Sequence, residues 1–129
     1  MHAKTFQLRV LVSVRQSHAA LKVGTDAMVL GALLNSEGKK QALDIGTGTG
    51  VLALMVAQRN EKIQVTAVEK ESKANQDARF NFNNSPYAKR LQLLEIDFLS
   101  LQSKIKKPFL LCLTTILPIR MLFPFCHKR

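Results

Sequence analysis

The stretch Gln41-Ala-Leu-Asp-Ile-Gly-Thr-Gly-Thr-Gly50 decides the fold of this chain of 129 residues. Its first five residues are typical of a short buried strand, and the residues from Val51 to Arg59 after it are typical of a helix. Glycines between them let the backbone turn tightly and approach a ligand with no Cβ in the way. Because the following helix presents free N–H groups and a positive end, the sequence predicts a site for a nucleotide-like cofactor at this turn.

Further strands and helices alternate after the turn. The pattern predicts a strand over Ile63 to Val68, a helix over Glu71 to Asn84 that Pro86 ends, and a strand over Leu91 to Glu95. Alternating strands and helices favour an α/β fold with a parallel sheet and right-handed crossovers. The predicted helix carries apolar residues four positions apart that share one face, namely Ala74, Ala78 and Phe82.

The segment before the turn is less clearly patterned. The residues from Phe6 to Val14 predict one short strand, and Thr25 and Asp26 are good N-cap types before a predicted helix from Ala27 to Leu34. The run Lys22-Val-Gly-Thr-Asp26 has two interpretations. It is either a turn that opens this helix or a loop that folds over the cofactor pocket, with the last two side chains supplying polar contacts.

Three acidic residues stand where the predicted strands end. The dinucleotide fingerprint is G-x-G-x-x-G, whereas here G-x-G-x-G follows Asp44, and an acid there suits an amine-bearing ligand such as S-adenosylmethionine (SAM). Glu69 is placed to accept hydrogen bonds from ribose hydroxyls, and Asp97 is placed for an adenine amino group. Alone, Glu69 is explained by a solvated loop and Asp97 by a helix cap. Together they favour SAM, with dinucleotide binding and no nucleotide at all as the alternatives.

The composition limits the other classes of function. A net charge of +10 favours polyanionic partners, but no acid follows Asp97, and the six bases beyond it account for much of the charge. Without them 13 basic and 9 acidic residues remain, a net charge of +4. Cys112 and Cys126 have neither a metal-site spacing nor a disulfide framework. With no signal peptide and no apolar run of about 20 residues, the sequence predicts a cytoplasmic protein without a membrane segment, and no pattern indicates an oligomeric state.

Five segments that occur in order carry a family resemblance: Lys22-Val-Gly-Thr-Asp-Ala27, Leu43-Asp-Ile-Gly-Thr-Gly-Thr-Gly50, Leu52-Ala-Leu-Met-Val-Ala-Gln-Arg59, Ala67-Val-Glu69 and Ser85-Pro-Tyr87. Together they closely resemble the bacterial tRNA-Val (adenine-N6) methyltransferase family over about residues 6 to 101. That family belongs to the Rossmann-like class I methyltransferases, so the resemblance implies SAM as cofactor and an adenine of tRNA as substrate. No catalytic residue and no metal ligand is expected among the residues of this chain. The cofactor-binding residues expected on these grounds are Lys22, Thr25, Asp26, Asp44, Gly46, Thr47, Gly48, Gly50, Glu69 and Asp97.

The chain departs from the family in its last part. Adenine-N6 methyltransferases carry Asn-Pro-Pro-Tyr or Asp-Pro-Pro-Tyr after the fourth strand, where it binds the flipped target base. Here the expected region, Leu110-Leu-Cys-Leu-Thr-Thr-Ile-Leu-Pro-Ile119, has no such tetrapeptide. Residues 1–107 are therefore predicted to be the SAM-binding N-terminal half of a methyltransferase, with a partial parallel sheet. Residues 108–129 are predicted to be an atypical tail, and a frameshift near Phe109 is one hypothesis for its origin.

The missing tetrapeptide predicts that the chain itself is inactive. Three alternatives to an active tRNA methyltransferase remain open. The chain is a non-catalytic SAM-binding module, or a functionless truncated product, or a relative of methyltransferases that act on another RNA or on a protein.

Overall fold

The computed structural model describes residues 5–8, 12–18, 25–103 and 111–114. Within these ranges the chain forms a four-stranded sheet with helices between its strands, and a separate two-stranded sheet. The elements in chain order are β1 (Thr5–Leu8), β2 (Val12–Arg15), α1 (Thr25–Leu33), β3 (Gln41–Ile45), α2 (Val51–Arg59), β4 (Gln64–Val68), α3 (Ser72–Asn83), a 3-10 turn (Ala88–Arg90), β5 (Leu91–Leu94), α4 (Phe98–Gln102) and β6 (Leu111–Thr114).

The larger sheet is parallel throughout, in the order β5-β4-β3-β6. From β3 the chain runs outward through α2 to β4 and through α3 to β5, and it then returns to the other side of β3 as β6. The order of the strands therefore reverses at β3. Open α/β sheets bind ligands beyond the carboxyl end of the strand where this reversal occurs. The glycine-rich turn follows β3 at that end, so the topology places it where a ligand is expected.

The elements around the turn are those predicted from the sequence. β3 and α2 have the predicted bounds, β4 and β5 differ from the prediction by one residue at one end, and α3 differs by one residue at each end. α2 is buried over its first seven residues, because it packs between the sheet and α1. On α3 the three predicted apolar residues, Ala74, Ala78 and Phe82, are all buried. The prediction of an α/β fold with a parallel sheet is confirmed.

Two predictions for the first part of the chain are wrong. The segment predicted as a single strand over Phe6 to Val14 is instead an antiparallel pair, in which Leu8 lies opposite Val12. The residues between these strands include no glycine, proline or asparagine, so no turn residue marks the reversal in the sequence. α1 also begins at Thr25 rather than at Ala27. Polar residues such as Thr25 and Asp26 occur both in the first turn of a helix and at its cap, so residue type alone does not define where α1 begins.

β6 lies within the segment predicted as an atypical tail. It pairs in parallel with β3 and places Leu113 opposite Asp44. Four residues of that segment therefore extend the sheet. The rest of residues 108–129 falls outside the described residues, and the frameshift hypothesis stays a prediction.

Candidate cofactor site

The turn after β3, residues 46 to 50, is called the glycine loop below. Its three glycines all have positive φ, at 70° for Gly46, 58° for Gly48 and 84° for Gly50. Residues with a Cβ rarely adopt this conformation. The N–H groups of Gly46 and Thr47 both donate to the carbonyl of Val68, at 2.8 and 3.0 Å. The end of β4 thus fixes the start of the loop.

The glycines at 48 and 50 serve different purposes. A Cβ built at Gly50 would come within 2.5 Å of Cε1 of Phe82, so this glycine permits close packing of α3 against the loop. A Cβ at Gly48 would meet no atom within 4 Å. The backbone at Gly48 is therefore open on the side that a side chain would occupy, and a ligand can approach it there.

Asp44 lies beneath the loop with only 1% of its surface exposed. Its Oδ2 accepts a hydrogen bond from the Thr47 hydroxyl at 2.7 Å, and its carboxylate accepts another from the N–H of Ala53. Gly50, the N-cap of α2, has no side chain to cap that helix, so Asp44 satisfies one of its free N–H groups. Burial raises the pKa of Asp44 to about 6, with a further contribution from the charge of Glu69, and the two hydrogen bonds oppose this rise.

Glu69 follows β4 directly and is half-buried. Its N–H donates to the carbonyl of Leu94 at 3.1 Å, which continues the pairing toward β5. Its carboxylate accepts N–H groups from Gly48 and Glu71, while burial raises its pKa above the ordinary value. Asn75 of α3 donates its side-chain amide to the carbonyl of Glu69 at 2.9 Å. The two carboxylates thus lie on either side of the glycine loop, and each accepts a hydrogen bond from a backbone N–H of the loop or of the helix after it.

The structure describes the remaining predicted site residues less completely. Asp97 lies three residues beyond β5 and is the N-cap of α4, with an exposed side chain that makes no capping hydrogen bond. Thr25 and Asp26 are the first residues of α1, and their side chains are outside the described part of the chain, as is all of Lys22. The assignment of all ten residues to a cofactor stays a prediction, and the structure brings seven of them to or near the carboxyl ends of the strands.

Sequence reasoning missed a group of buried polar residues on α3. Asn75, Asp77 and Asn81 are at most 1% exposed and share the buried face with the alanines. Their spacing was the available signal, because polar residues at core positions of a helix need specific partners. Arg15 forms an ion pair with Asp77 at 3.5 Å, and its guanidinium lies 4.9 Å from the ring centroid of Phe80.

The described residues contain neither a metal-binding cluster nor a membrane-spanning helix. No group of three histidine, cysteine, aspartate or glutamate side chains lies close enough to hold a metal ion in that part of the chain. None of its helices is long and apolar enough to cross a membrane.

Residues 11–112 match the model of the family described as the methyltransferase small domain. The chain belongs to this methyltransferase family. It is 44% identical over 91 residues to tRNA1(Val) (adenine(37)-N6)-methyltransferase of Tolumonas auensis, a match that covers 70% of this chain and 38% of the relative. The enzyme of the same name from Haemophilus influenzae is 46% identical over 85 residues, 65% of this chain and 37% of the relative.

These matches confirm the resemblance found in the sequence, and they show that the chain spans less than two fifths of the length of these relatives. Solved structures show the same fold. The O-methyltransferase from Bacillus cereus in complex with SAH has a TM-score of 0.71 at 18% identity, over 86% of this chain and 56% of that one. The SAM-dependent methyltransferase from Agrobacterium tumefaciens has a TM-score of 0.69 at 18% identity, over 87% and 39%. The predicted class I methyltransferase fold is therefore confirmed, and membership of a methyltransferase family supports SAM as the cofactor.

Proposed function

We propose that this methyltransferase domain binds SAM at the glycine loop and that it is the cofactor-binding part of a tRNA adenine-N6 methyltransferase. The observation that carries the proposal is the pair of carboxylates, Asp44 and Glu69, on either side of a loop whose Gly48 backbone is open. A buried acid attracts a cationic ligand, and SAM carries an ammonium and a sulfonium. A half-buried acid at the end of the next strand is suited to two ribose hydroxyls.

The substrate is inferred from the relatives. Those most similar in sequence are named for the methylation of adenine 37 at N6 in tRNA1(Val). In that reaction the N6 amine attacks the methyl carbon of SAM, the carbon–sulfur bond breaks, S-adenosylhomocysteine (SAH) leaves and the amine loses a proton. The protein's task is mainly to align the amine with the sulfonium, so positioning matters more than acid–base groups. A tRNA substrate is consistent with the net positive charge and with the cytoplasmic location predicted from the sequence.

We further propose that this chain does not itself methylate tRNA. The Asn-Pro-Pro-Tyr or Asp-Pro-Pro-Tyr tetrapeptide that binds the target adenine in such enzymes is absent from its sequence. The cofactor loop, in contrast, is completely built, since both carboxylates and the three positive-φ glycines are in place. A chain with this combination binds SAM without turnover. The alternative is a methyltransferase that acts on another RNA or on a protein, since families with those substrates carry the same tetrapeptide that is absent here.

Isothermal titration of the purified chain with SAM tests the cofactor. We expect saturable binding by the wild type and at least about tenfold weaker binding by Asp44→Ala and Glu69→Ala, a loss of about 1.4 kcal/mol or more. The matched control is Glu61→Ala, which removes an exposed acid from the turn between α2 and β4 at the other end of the sheet. Absent binding by the wild type, or equal affinity in all four chains, contradicts the proposal.

A radiolabelled methyl-transfer assay tests the rest. With tRNA1(Val) as acceptor, we expect no incorporation by the chain and ready incorporation by a full-length relative as the positive control. Methylation of the tRNA by the chain alone would overturn the proposed inactivity. Methylation of a different RNA or of a protein would identify the alternative class of substrate.

A further inference from the structure

The side chain of Asn81 joins two parts of the structure that are far apart in sequence. Its Nδ2 donates to the carbonyl of Thr49 in the glycine loop at 2.8 Å and to the carbonyl of Arg15 at 2.8 Å. Its Oδ1 accepts the N–H of Arg15 at 2.6 Å. Because an asparagine amide has two donors and one acceptor oxygen, all of its hydrogen-bonding groups are engaged with backbone.

A second buried residue one turn earlier on the same face of α3 strengthens this connection. Asp77, which is fully buried, accepts the N–H of His18 at 2.7 Å and pairs with the guanidinium of Arg15. Residues four apart on a helix lie side by side, so Asp77 and Asn81 form one polar strip along α3. The strip holds the end of β2 and the residues just after it. In sequence the chain then continues to the Lys22–Asp26 segment, for which a loop over the cofactor pocket is one of the two interpretations given above.

We propose that Asn81 is a positioning residue for the cofactor site, through which the glycine loop and the segment from β2 to His18 are held in one arrangement. The inference rests on the proposed binding of SAM at that loop. Thr49 lies between the two glycines with φ of 58° and 84°, so its carbonyl sets the direction of the backbone that faces the ligand. The N–H of the same peptide, on Gly50, donates to the carbonyl of Thr47 at 2.8 Å, and the amide of Asn81 holds its carbonyl from the side of α3.

The loss of this amide has two separable consequences. The carbonyls of Thr49 and Arg15 lose a buried donor, and this lowers the stability of the fold whether or not a cofactor binds nearby. The loop also loses its fixed orientation, so part of the ordering then has to occur when the cofactor binds, and this weakens affinity. A purely structural role produces the first consequence without the second.

The experiment compares Asn81→Ala on α3 with Ser85→Ala, two residues beyond the end of that helix. Ser85 is also buried, and its hydroxyl donates to the carbonyl of Phe82 at 2.8 Å and accepts the N–H of Tyr87 at 3.3 Å, so its removal costs two hydrogen bonds away from the loop. At a temperature where both variants are folded, we expect SAM affinity to fall by about tenfold or more in Asn81→Ala and by less than about twofold in Ser85→Ala. Unchanged affinity in Asn81→Ala, or an equal loss in both, would overturn the inference.

A spectroscopic measurement without cofactor separates this inference from the proposed function. In amide NMR spectra, Asn81→Ala should shift the signals of Gly48 and Gly50 together with those of Arg15 and His18, whereas Ser85→Ala should leave all four in place. A wild-type chain that binds no SAM contradicts the proposed function, and these shifts still decide whether Asn81 couples the two parts.

Hydrogen exchange of the wild type covers the case in which Asn81→Ala does not fold. The Arg15 amide, bonded to Asn81, and the His18 amide, bonded to Asp77, should exchange at least about threefold more slowly after SAM is added, because a fixed loop stabilises the connected segment. Amides of β5 serve as the internal reference. Unchanged exchange at both positions in a chain that binds SAM overturns the inference.

Discussion

Replacing Asp44 with asparagine should remove most of the dependence of the chain's stability on pH between 4.5 and 7.5. The carboxylate is buried beneath the glycine loop, and its pKa is raised from 3.8 to about 6. Burial is the main cause, and the charge of Glu69 adds to it. Asparagine has nearly the same shape. It can still accept the Ala53 N–H through its oxygen, while its amide donates to the Thr47 hydroxyl.

The sign and size follow from the two pKa values. Because the native pKa is above that of the unfolded chain, the proton on Asp44 stabilises the native state. This contribution is fully present below about pH 4 and is lost as the pH rises through about 6. A shift of this size is worth about 3 kcal/mol in total, of which about 2 kcal/mol is lost between pH 4.5 and 7.5. The pKa of Glu69 is shifted in the same direction, so the wild type has a second, smaller contribution that the variant retains.

Urea unfolding at pH 4.5, 6.0 and 7.5 measures the effect. We expect the free energy of unfolding of the cofactor-free wild type to fall by about 2 kcal/mol more than that of Asp44→Asn over this range. Glu61→Gln, which changes an exposed acid in the same way, is the matched control and should follow the wild type. Equal pH dependence in the wild type and in Asp44→Asn would refute the argument that burial raises this pKa.

Three further predictions concern the loop and the helix behind it. SAM affinity of the wild type should be constant above pH 6 and fall about tenfold per pH unit below it, because protonation of Asp44 removes the negative charge that attracts the cofactor. Calorimetric affinities that do not change with pH would exclude a direct contact between Asp44 and SAM. Gly48→Ala should lower the free energy of unfolding in urea by about 1 kcal/mol, because of the φ of 58° alone. Gly50→Ala should lower it distinctly more, because the new Cβ would contact the Phe82 ring. Equal losses in the two variants would refute this division of roles. Arg90→Ala should lower the free energy of unfolding by about 2–3 kcal/mol, since the Arg90 guanidinium donates to three backbone carbonyls at 2.9–3.1 Å. SAM affinity measured by calorimetry should be unchanged, because these carbonyls lie at the opposite end of the sheet from the glycine loop. Weaker binding would contradict that separation.

The elements around the cofactor site could be predicted from the sequence because their signals are local. Strand β3, the glycine loop and α2 follow one another within 19 residues, and apolar periodicity and glycine spacing define each of them. The β1–β2 pair could not be predicted, because the three residues between the two strands include no residue typical of a turn. The roles of the polar residues on α3 were also beyond reach, because Asn81 contacts Arg15, 66 positions away, and Thr49, 32 positions away.

The buried polar residues of the described chain are concentrated where the function is proposed. Asp44 destabilises the cofactor-free chain at neutral pH, and a buried acid with a raised pKa is costly unless a ligand later compensates for it. Asn75 and Asn81 occupy core positions of α3 and hold the backbones of Glu69 and Thr49, the two segments that flank the proposed ligand. An apolar residue at either position would pack as well but would leave those carbonyls without a donor. The departures from an apolar core therefore support the proposed cofactor site independently of the glycine motif, and they extend the proposed site from the loop to the helix behind it.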